Sequence, residues 1–206
     1  MDPQRAIAIF QPYGVENFGQ VGAQMDLTFD TRDWQAAATK GVRATAGGAF
    51  YPAVWDVEES FGEVHGELST YLTARSAPLR PTLALRAAGK KVFGDFPFFE
   101  AAFVGGASTV RGLREQRYAG DASVYGNAEL RLALGRVLLL LPTEVGIFGL
   151  ADAGRVFLEG ESSSELHTGF GGGLSLSFLT PANTVTFAFV RGEDRNGFYL
   201  RAGFGY

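Results

Sequence analysis

Apolar and polar residues alternate along most of this chain with a period of two. Between residues 123 and 134, for example, Val124, Leu130 and Leu134 fall on one side, whereas Asn127 and Glu129 fall on the other. Alternation of this kind is typical of β-strands, because successive side chains of a strand point to opposite faces of the sheet. It predicts nine strands, at 21–32, 42–50, 63–74, 82–88, 123–134, 144–153, 168–178, 184–191 and 198–206, and a weaker tenth at 6–14.

The two faces of these strands differ in chemistry. The apolar face consists of Leu, Val, Phe and Ala, whereas the polar face carries charges such as Asp26, Asp30 and Arg32 together with Gly and Ser. The strands are about 8 to 12 residues long, close to the roughly 9 to 11 residues that a tilted strand needs to cross a bilayer. The pattern favours an all-β fold, a transmembrane antiparallel meander β-barrel with lipid outside and a polar lumen. A soluble β-sandwich is the weaker alternative.

A long segment at about residues 91–121 interrupts this meander. It contains the stretch Gly105 to Arg114, in which Arg111 follows a β-branched residue and precedes a glycine. A loop of this length between tight hairpins is often functional, although a solvated surface loop would look the same.

Composition excludes several classes of site. The 206 residues include 28 Gly and no Cys, so disulfides, thiol nucleophiles and zinc–thiolate centres are excluded. The net charge of −4 gives no basic field for nucleic acid. The longest apolar run, Val137–Leu141, is far shorter than the roughly 18 residues of a membrane helix. No signal peptide is recognisable, so the chain is expected to be cytosolic, a mature form or a piece of a longer protein.

No set of side chains predicts catalysis or metal binding. His65, Glu67 and Ser69 share a face, but a spacing of two on a strand arises by chance, and His167 lies near serines in a loop. Nothing places a nucleophile, a base and an orienting group together. We therefore expect neither an enzyme nor a bound cofactor or metal, and we interpret Asp26, Asp30 and Arg32 as a ladder of charges in the lumen.

Several short motifs, in their order, resemble one family, the bacterial surface antigen superfamily of outer-membrane assembly and translocation barrels (BamA/TamA-like). They are Asp30-Thr31-Arg32-Asp33, Gly41, Gly105-Gly106, Val110-Arg111-Gly112-Leu113, Asn127 to Arg131, Phe148 to Gly154 and the terminal Phe198 to Tyr206. The resemblance covers about residues 20 to 206. Leu113 departs from it, since the family usually has Phe or Tyr there. Family barrels also have sixteen strands, usually preceded by POTRA domains.

The resemblance implies a set of site residues. It places the long loop inside the lumen, with the motif Val110, Arg111, Gly112 and Leu113 directed at the inner wall. Glu129 and Asp152 stand at the positions of the acidic partners of Arg111, and the alternation independently puts both on the polar face. The last strand would carry the targeting signal and one side of a lateral seam. The alternation, independently, predicts that Phe198, Leu200, Phe204 and Tyr206 point outward and that the strand pairs antiparallel with 184–191.

The implied function is insertion or translocation of proteins at the bacterial outer membrane, by an integral barrel. The alternative is a structural membrane anchor or passive pore with the same fold and no insertase activity. Residues 1–206 would form a single barrel domain or a barrel fragment. The implied partners are the lipid bilayer, client outer-membrane or secreted proteins and, at the barrel edge, another copy or missing strands, without nucleic acid.

Overall fold

The structure, a computed structural model, describes residues 13–15, 17–160 and 165–206. Its strands are β1 (Ala23–Asp30), β2 (Gly41–Tyr51), β3 (Phe61–Thr73), β4 (Thr82–Phe93), β5 (Ala102–Val104), β6 (Tyr118–Gly120), β7 (Ala122–Leu138), β8 (Pro142–Phe157), β9 (His167–Phe178), β10 (Thr184–Gly192) and β11 (Asn196–Ala202). Two 3₁₀ turns lie at Phe98–Glu100 and Pro181–Asn183. The weak strand expected at 6–14 falls outside the described residues, apart from Tyr13 and Gly14, which form a turn.

Nine of these strands form one antiparallel meander in the order β1-β2-β3-β4-β7-β8-β9-β10-β11. The all-β prediction and the nine strands of the alternating pattern are confirmed. The short strands β5 and β6 pair with each other inside the long loop, where the alternating pattern had predicted no strand. Within the described residues β1 and β11 each pair with one neighbour, so this sheet is not closed. No helix in the described part of the chain is long and apolar enough to span a membrane.

The sheet curls strongly, so that one face is concave. The Tyr206 hydroxyl, beyond β11, donates a hydrogen bond to the Ala84 carbonyl oxygen of β4 at 3.1 Å. Those strands stand five positions apart, which in a flat sheet would be about 24 Å. At one end the edges nearly meet, because the Phe204 backbone N–H donates to the carbonyl oxygen of Ala36, between β1 and β2, at 2.8 Å. We call the concave face the inner face and the other the outer face.

On β7 the alternation predicted from sequence assigns residues to these faces correctly. On β7 the outer residues Val124, Leu130 and Leu134 remain about half exposed, whereas Asn127 and Glu129 are buried on the inner face. The outer face is therefore apolar, whereas the inner face carries the buried polar and charged residues together with smaller apolar clusters. The molecule has two ends: the long-loop end carries residues 94–121, and the C-terminal end carries the turns after β1, β3, β7 and β9 together with Tyr206.

The C-terminal strand is shorter than predicted, and two of its residues point the other way. β11 pairs antiparallel with β10, as expected, and Phe198 and Leu200 lie exposed on the outer face. The strand ends at Ala202, however, because Gly203 adopts a left-handed conformation with φ +85°. The chain then turns inward, so the expectation that Phe204 and Tyr206 face outward is wrong.

Contacts on the inner face explain this turn. The Phe204 ring packs edge-on against Phe148, and the Arg131 guanidinium lies 3.7 Å from its centroid. Tyr206 packs against a buried cluster formed by Ala38, Tyr71 and Ala84. The C-terminal tail, residues 203–206, is thus a part of the inner face.

Candidate functional site

The long loop is seated on the inner face by an apolar cluster. Val110 and Leu113 are fully buried together with Val104 of β5, and Tyr118, Tyr125 and Val156 pack around them. This explains why residue 113 is apolar, although a leucine stands where the family usually has an aromatic ring. Two residues before Arg111, the Thr109 carbonyl accepts a hydrogen bond from Asn127 Nδ2 of β7 at 2.7 Å.

Arg111 lies between two carboxylates of neighbouring strands. Its Nε and Nη2 donate to the two oxygens of Asp152 on β8, at 2.7 and 2.8 Å, and its Nη1 donates to Glu129 Oε1 of β7 at 2.7 Å. The Arg111 backbone N–H also donates to Asp152 Oδ2 at 3.0 Å. The side chains of Arg111, Glu129 and Asp152 are 6%, 1% and 0% exposed. The structure therefore brings together the three residues that the sequence had singled out.

A second arginine completes this buried charge cluster. Arg131 Nε and Nη2 donate to Glu129 Oε2 at 3.0 and 2.7 Å, so that Glu129 is held by two guanidinium groups. Arg131 Nη1 also donates to the Ala38 carbonyl at 3.3 Å. Two arginines thus balance two carboxylates. Buried charges are tolerated only when they are paired and hydrogen-bonded in this way.

Glycines allow the close approach of the loop to the wall. Gly112 adopts φ +91°, a conformation that residues with a side chain rarely adopt. Its backbone lies against Gly192 at the end of β10. Gly169 of β9 lies directly beneath the Arg111 carbonyl oxygen, where a side chain would overlap it. The Gly112 N–H donates to the Tyr199 hydroxyl of β11 at 2.9 Å.

Sequence reasoning missed the contacts between the loop and the last strand. Besides Tyr199, β11 contributes Arg201, whose Nη2 donates to the Ala107 carbonyl of the loop. Beyond β10, Asp194 pairs with Arg117 at 3.2 Å. The alternation does place Tyr199 and Arg201 on the inner face, so a search for inner-face donors near the loop motif could have found them. These contacts link the loop to the strand at one edge of the sheet.

Another arginine connects the loop to β3. Arg86 of β4 donates to Glu67 through Nε and Nη2, at 2.9 and 2.6 Å, and to the Ser108 carbonyl through Nη1 at 2.8 Å. Glu67 also accepts from Arg43 of β2 at 2.6 Å. The inner face therefore carries two linked ion pairs across β2, β3 and β4, and Arg86 connects them to the loop by a hydrogen bond.

The remaining sequence candidates do not form a catalytic or metal site. His65 contacts Asp26 at 2.6 Å and Glu63 at 3.3 Å, whereas Glu67 is occupied by arginines. Asp30 pairs locally with Arg32 at 2.7 Å, so the expected ladder is two separate pairs. Within the described residues no group of three His, Cys, Asp or Glu side chains could hold a metal ion.

His167, which the sequence placed near a run of serines, starts β9 and is buried. Its ring stacks on Tyr118 with the centroids 3.6 Å apart, and its Nδ1 lies 2.9 Å from Glu193 Oε2. Burial raises the pKa of Glu193, but hydrogen bonds from His167 and from the Thr168 N–H outweigh it, so this pKa lies below its usual value. This pair joins the start of β9 to the end of β10, beside Tyr118 of the loop.

Comparison with known families identifies the fold. A model of the Omp85 superfamily domain matches residues 13–204, which is nearly the whole chain. The chain belongs to the Omp85 superfamily. This confirms the resemblance to BamA/TamA-like surface antigens. No curated protein matches the chain.

Members of the Omp85 superfamily share a cellular location and a type of activity. Its members are outer-membrane proteins that work in membranes with client proteins, in protein insertion or translocation, and are non-enzymatic. An antiparallel sheet with an apolar outer face and a polar, loop-filled inner face agrees with a β-barrel of this superfamily.

Proposed function

We propose that residues 1–206 form an outer-membrane β-barrel, or the part of one, that inserts or translocates client proteins. The bilayer surrounds its outer face, and the long loop is held in the lumen by Arg111, Glu129 and Asp152. In this proposal the motif Val110 to Leu113 is the functional element of the loop, and β11, with Phe198 and Leu200, is one side of the seam at which clients engage.

The observation that carries this proposal is the buried pairing of Arg111 with two strands. A loop that served only as a surface connection would not require an arginine held by two fully buried carboxylates. Its further contacts with Tyr199 and Arg201 of β11 supply a physical link between the lumen loop and an edge strand. A loop that contacts the edge strand β11 in this way suits a barrel whose activity lies at that edge.

The test is client folding in a defined bilayer. Vesicles that contain the folded protein are mixed with a urea-denatured outer-membrane client, and folding of the client is followed by its heat-modifiable gel mobility. We expect faster folding than in empty vesicles, and slower folding when Arg111→Ala replaces the wild type. The matched control is Arg114→Ala, which removes an exposed arginine from the same loop.

The second candidate is a structural membrane anchor or passive pore. The network of buried ion pairs favours this candidate, because such pairs fix the loop in one position. It predicts that client folding is unchanged while the protein itself is fully folded in the vesicles. Single-channel conductance then separates a pore from an anchor, because a pore conducts steadily without any client.

A further inference from the structure

A cavity opens at the C-terminal end of the inner face, where Arg131 of the buried charge cluster forms part of its lining. It has a volume of about 460 Å³ and lies between β3 and β4 on one side and β8 and β9 on the other. Hydroxyl groups line it, from Thr39, Thr73, Thr82, Ser175 and Ser177. These walls belong to the polar inner face, so the cavity is accessible to water-borne groups rather than to lipid tails.

The charge of this cavity is opposite to that of the chain. Its lining includes three exposed arginines, Arg75, Arg80 and Arg136, and two carboxylates, Asp33 and Glu144. Arg131 also lines the cavity, but its charge is balanced by Glu129. The chain as a whole carries a net charge of −4. An excess of one sign of charge in a cleft raises the local concentration of oppositely charged ligands.

Three of these arginines have donors to spare. Arg80 and Arg136 share Glu144, at 2.7 and 3.5 Å, and both remain more than half exposed. Arg75 is exposed, and its side chain makes no hydrogen bond or ion pair within the described residues. Each guanidinium has five N–H donors, so one shared carboxylate leaves most of them available.

A β-bulge directs Arg136 into the cavity. Along β7 the odd-numbered residues up to Ala133 face inward, which would turn Arg136 to the outer face. The register shifts by one residue between Ala133 and Gly135, and Arg136 then lies opposite Glu144 on the inner face. Gly135 accommodates this shift with φ +149°. Bulges often re-aim a side chain in this way at functional sites.

We propose that this cavity is a binding site for an acidic segment of a polypeptide. Arg75 and Arg80 come from the turn after β3 and Arg136 from the end of β7, so the cationic groups lie on separate elements and suit an extended ligand with several carboxylates. A single phosphate would fill little of the cavity. A lipid headgroup could enter the cavity only while its acyl chains stayed in the bilayer, on the outer face of the sheet. The site is independent of the proposed insertase function, since it would exist equally in a passive barrel.

The experiment measures binding of a fluorescent oligoglutamate peptide to the protein folded in uncharged detergent micelles, by anisotropy. We expect saturable binding that weakens with salt, and none for oligoglutamine of the same length. The variant Arg75→Gln/Arg80→Gln/Arg136→Gln should weaken binding by about tenfold or more, since each charge-assisted contact contributes about that factor. Arg75→Gln alone removes an exposed side chain that makes no hydrogen bond or ion pair within the described residues, so the fold should be kept while binding still weakens measurably.

The matched control carries Arg114→Gln/Arg191→Gln/Arg195→Gln, which removes three exposed arginines from the long-loop end. It should change the affinity by less than about twofold, as for other isolated surface charges. An equal loss in both triple variants would overturn the site, because it would mean binding by net charge alone.

A gain-of-function variant gives an independent test. Glu144→Gln frees Arg80 and Arg136 and removes a competing carboxylate, so oligoglutamate should bind more tightly than to the wild type. Unchanged or weaker binding contradicts the proposal. Inorganic phosphate and glycerol phosphate serve as competitors: displacement of the peptide by either at equal molar concentration would assign the cavity to a single oxyanion or to a lipid headgroup and would also overturn it.

Discussion

Replacing Arg111 by alanine tests the buried charge cluster that seats the long loop. The change removes two hydrogen bonds to Asp152 and one to Glu129. Breaking a buried ion pair by removing one partner costs about 3–5 kcal/mol, because the remaining charge stays buried. Here the cost lies near the lower end. Asp152 keeps the backbone N–H of residue 111, and Glu129 keeps both hydrogen bonds from Arg131.

A loss of about 3 kcal/mol is large enough to measure in micelles. With a slope of about 2 kcal/mol per molar, the urea midpoint of unfolding should fall by about 1.5 M. The loop should also become sensitive to protease, and the heat-modifiable folded band should form more slowly. Arg111→Lys keeps the charge but loses the two-pronged contact with Asp152, so its midpoint should lie between those of the wild type and of Arg111→Ala.

The reference is Arg114→Ala, three residues further along the same loop and exposed. It should leave the midpoint and the protease pattern close to those of the wild type. Equal effects of Arg111→Ala and Arg114→Ala would refute the reasoning, because the cluster would then contribute nothing to the seating of the loop. The double variant Arg111→Ala/Asp152→Ala should cost less than the sum of the two single variants, as expected for interacting groups.

Two further predictions concern the loop seat and the turn after β1. Gly169→Ala places a methyl group on the Arg111 carbonyl oxygen and should raise the protease sensitivity of the loop, whereas Gly66→Ala, which meets no close neighbour, should not; equal sensitivity would contradict this seat. Burial raises the pKa of Asp33, but hydrogen bonds from neighbouring groups outweigh it and lower the pKa. The stabilisation of this turn is therefore present above the ordinary carboxyl pKa of about 3.9 and is lost as the pH falls through the lower folded value. Fluorescence of Trp34, with the other tryptophan replaced by phenylalanine, should report this acid transition, and Asp33→Asn should abolish it.

The residues of the Arg111 site were predictable because strands impose a regular alternation. Glu129 and Asp152 fall on the polar face by counting alone. They become near neighbours because β7 and β8 are paired strands. Asp152 lies opposite Asn127, and Glu129 is the next residue on the same face of β7. A local pattern on two adjacent strands was therefore enough to place both carboxylates beside a loop that the resemblance directs inward.

The C-terminal tail and the bulge in β7 were not predictable in the same way. Alternation continues through Phe204 and Tyr206 in the sequence, yet the strand ends at Ala202. There Gly203 turns the chain inward, and Phe204 bonds to Ala36, far away along the chain. The pattern also becomes uniformly apolar after Arg136, so no count of faces could reveal the register shift at Gly135. Both features depend on long-range contacts that a pattern within one strand does not contain.

The two edges of the sheet have a directional relation that constrains what can complete it. In an antiparallel meander of nine strands the first and the last run the same way, so β1 and β11 point in the same direction. Antiparallel closure therefore requires an odd number of intervening strands. A second copy inserted in the same orientation offers only strand edges of that same polarity, and would pair with them in parallel. The two edges of the described sheet therefore favour an antiparallel partner whose strands run opposite to both β1 and β11.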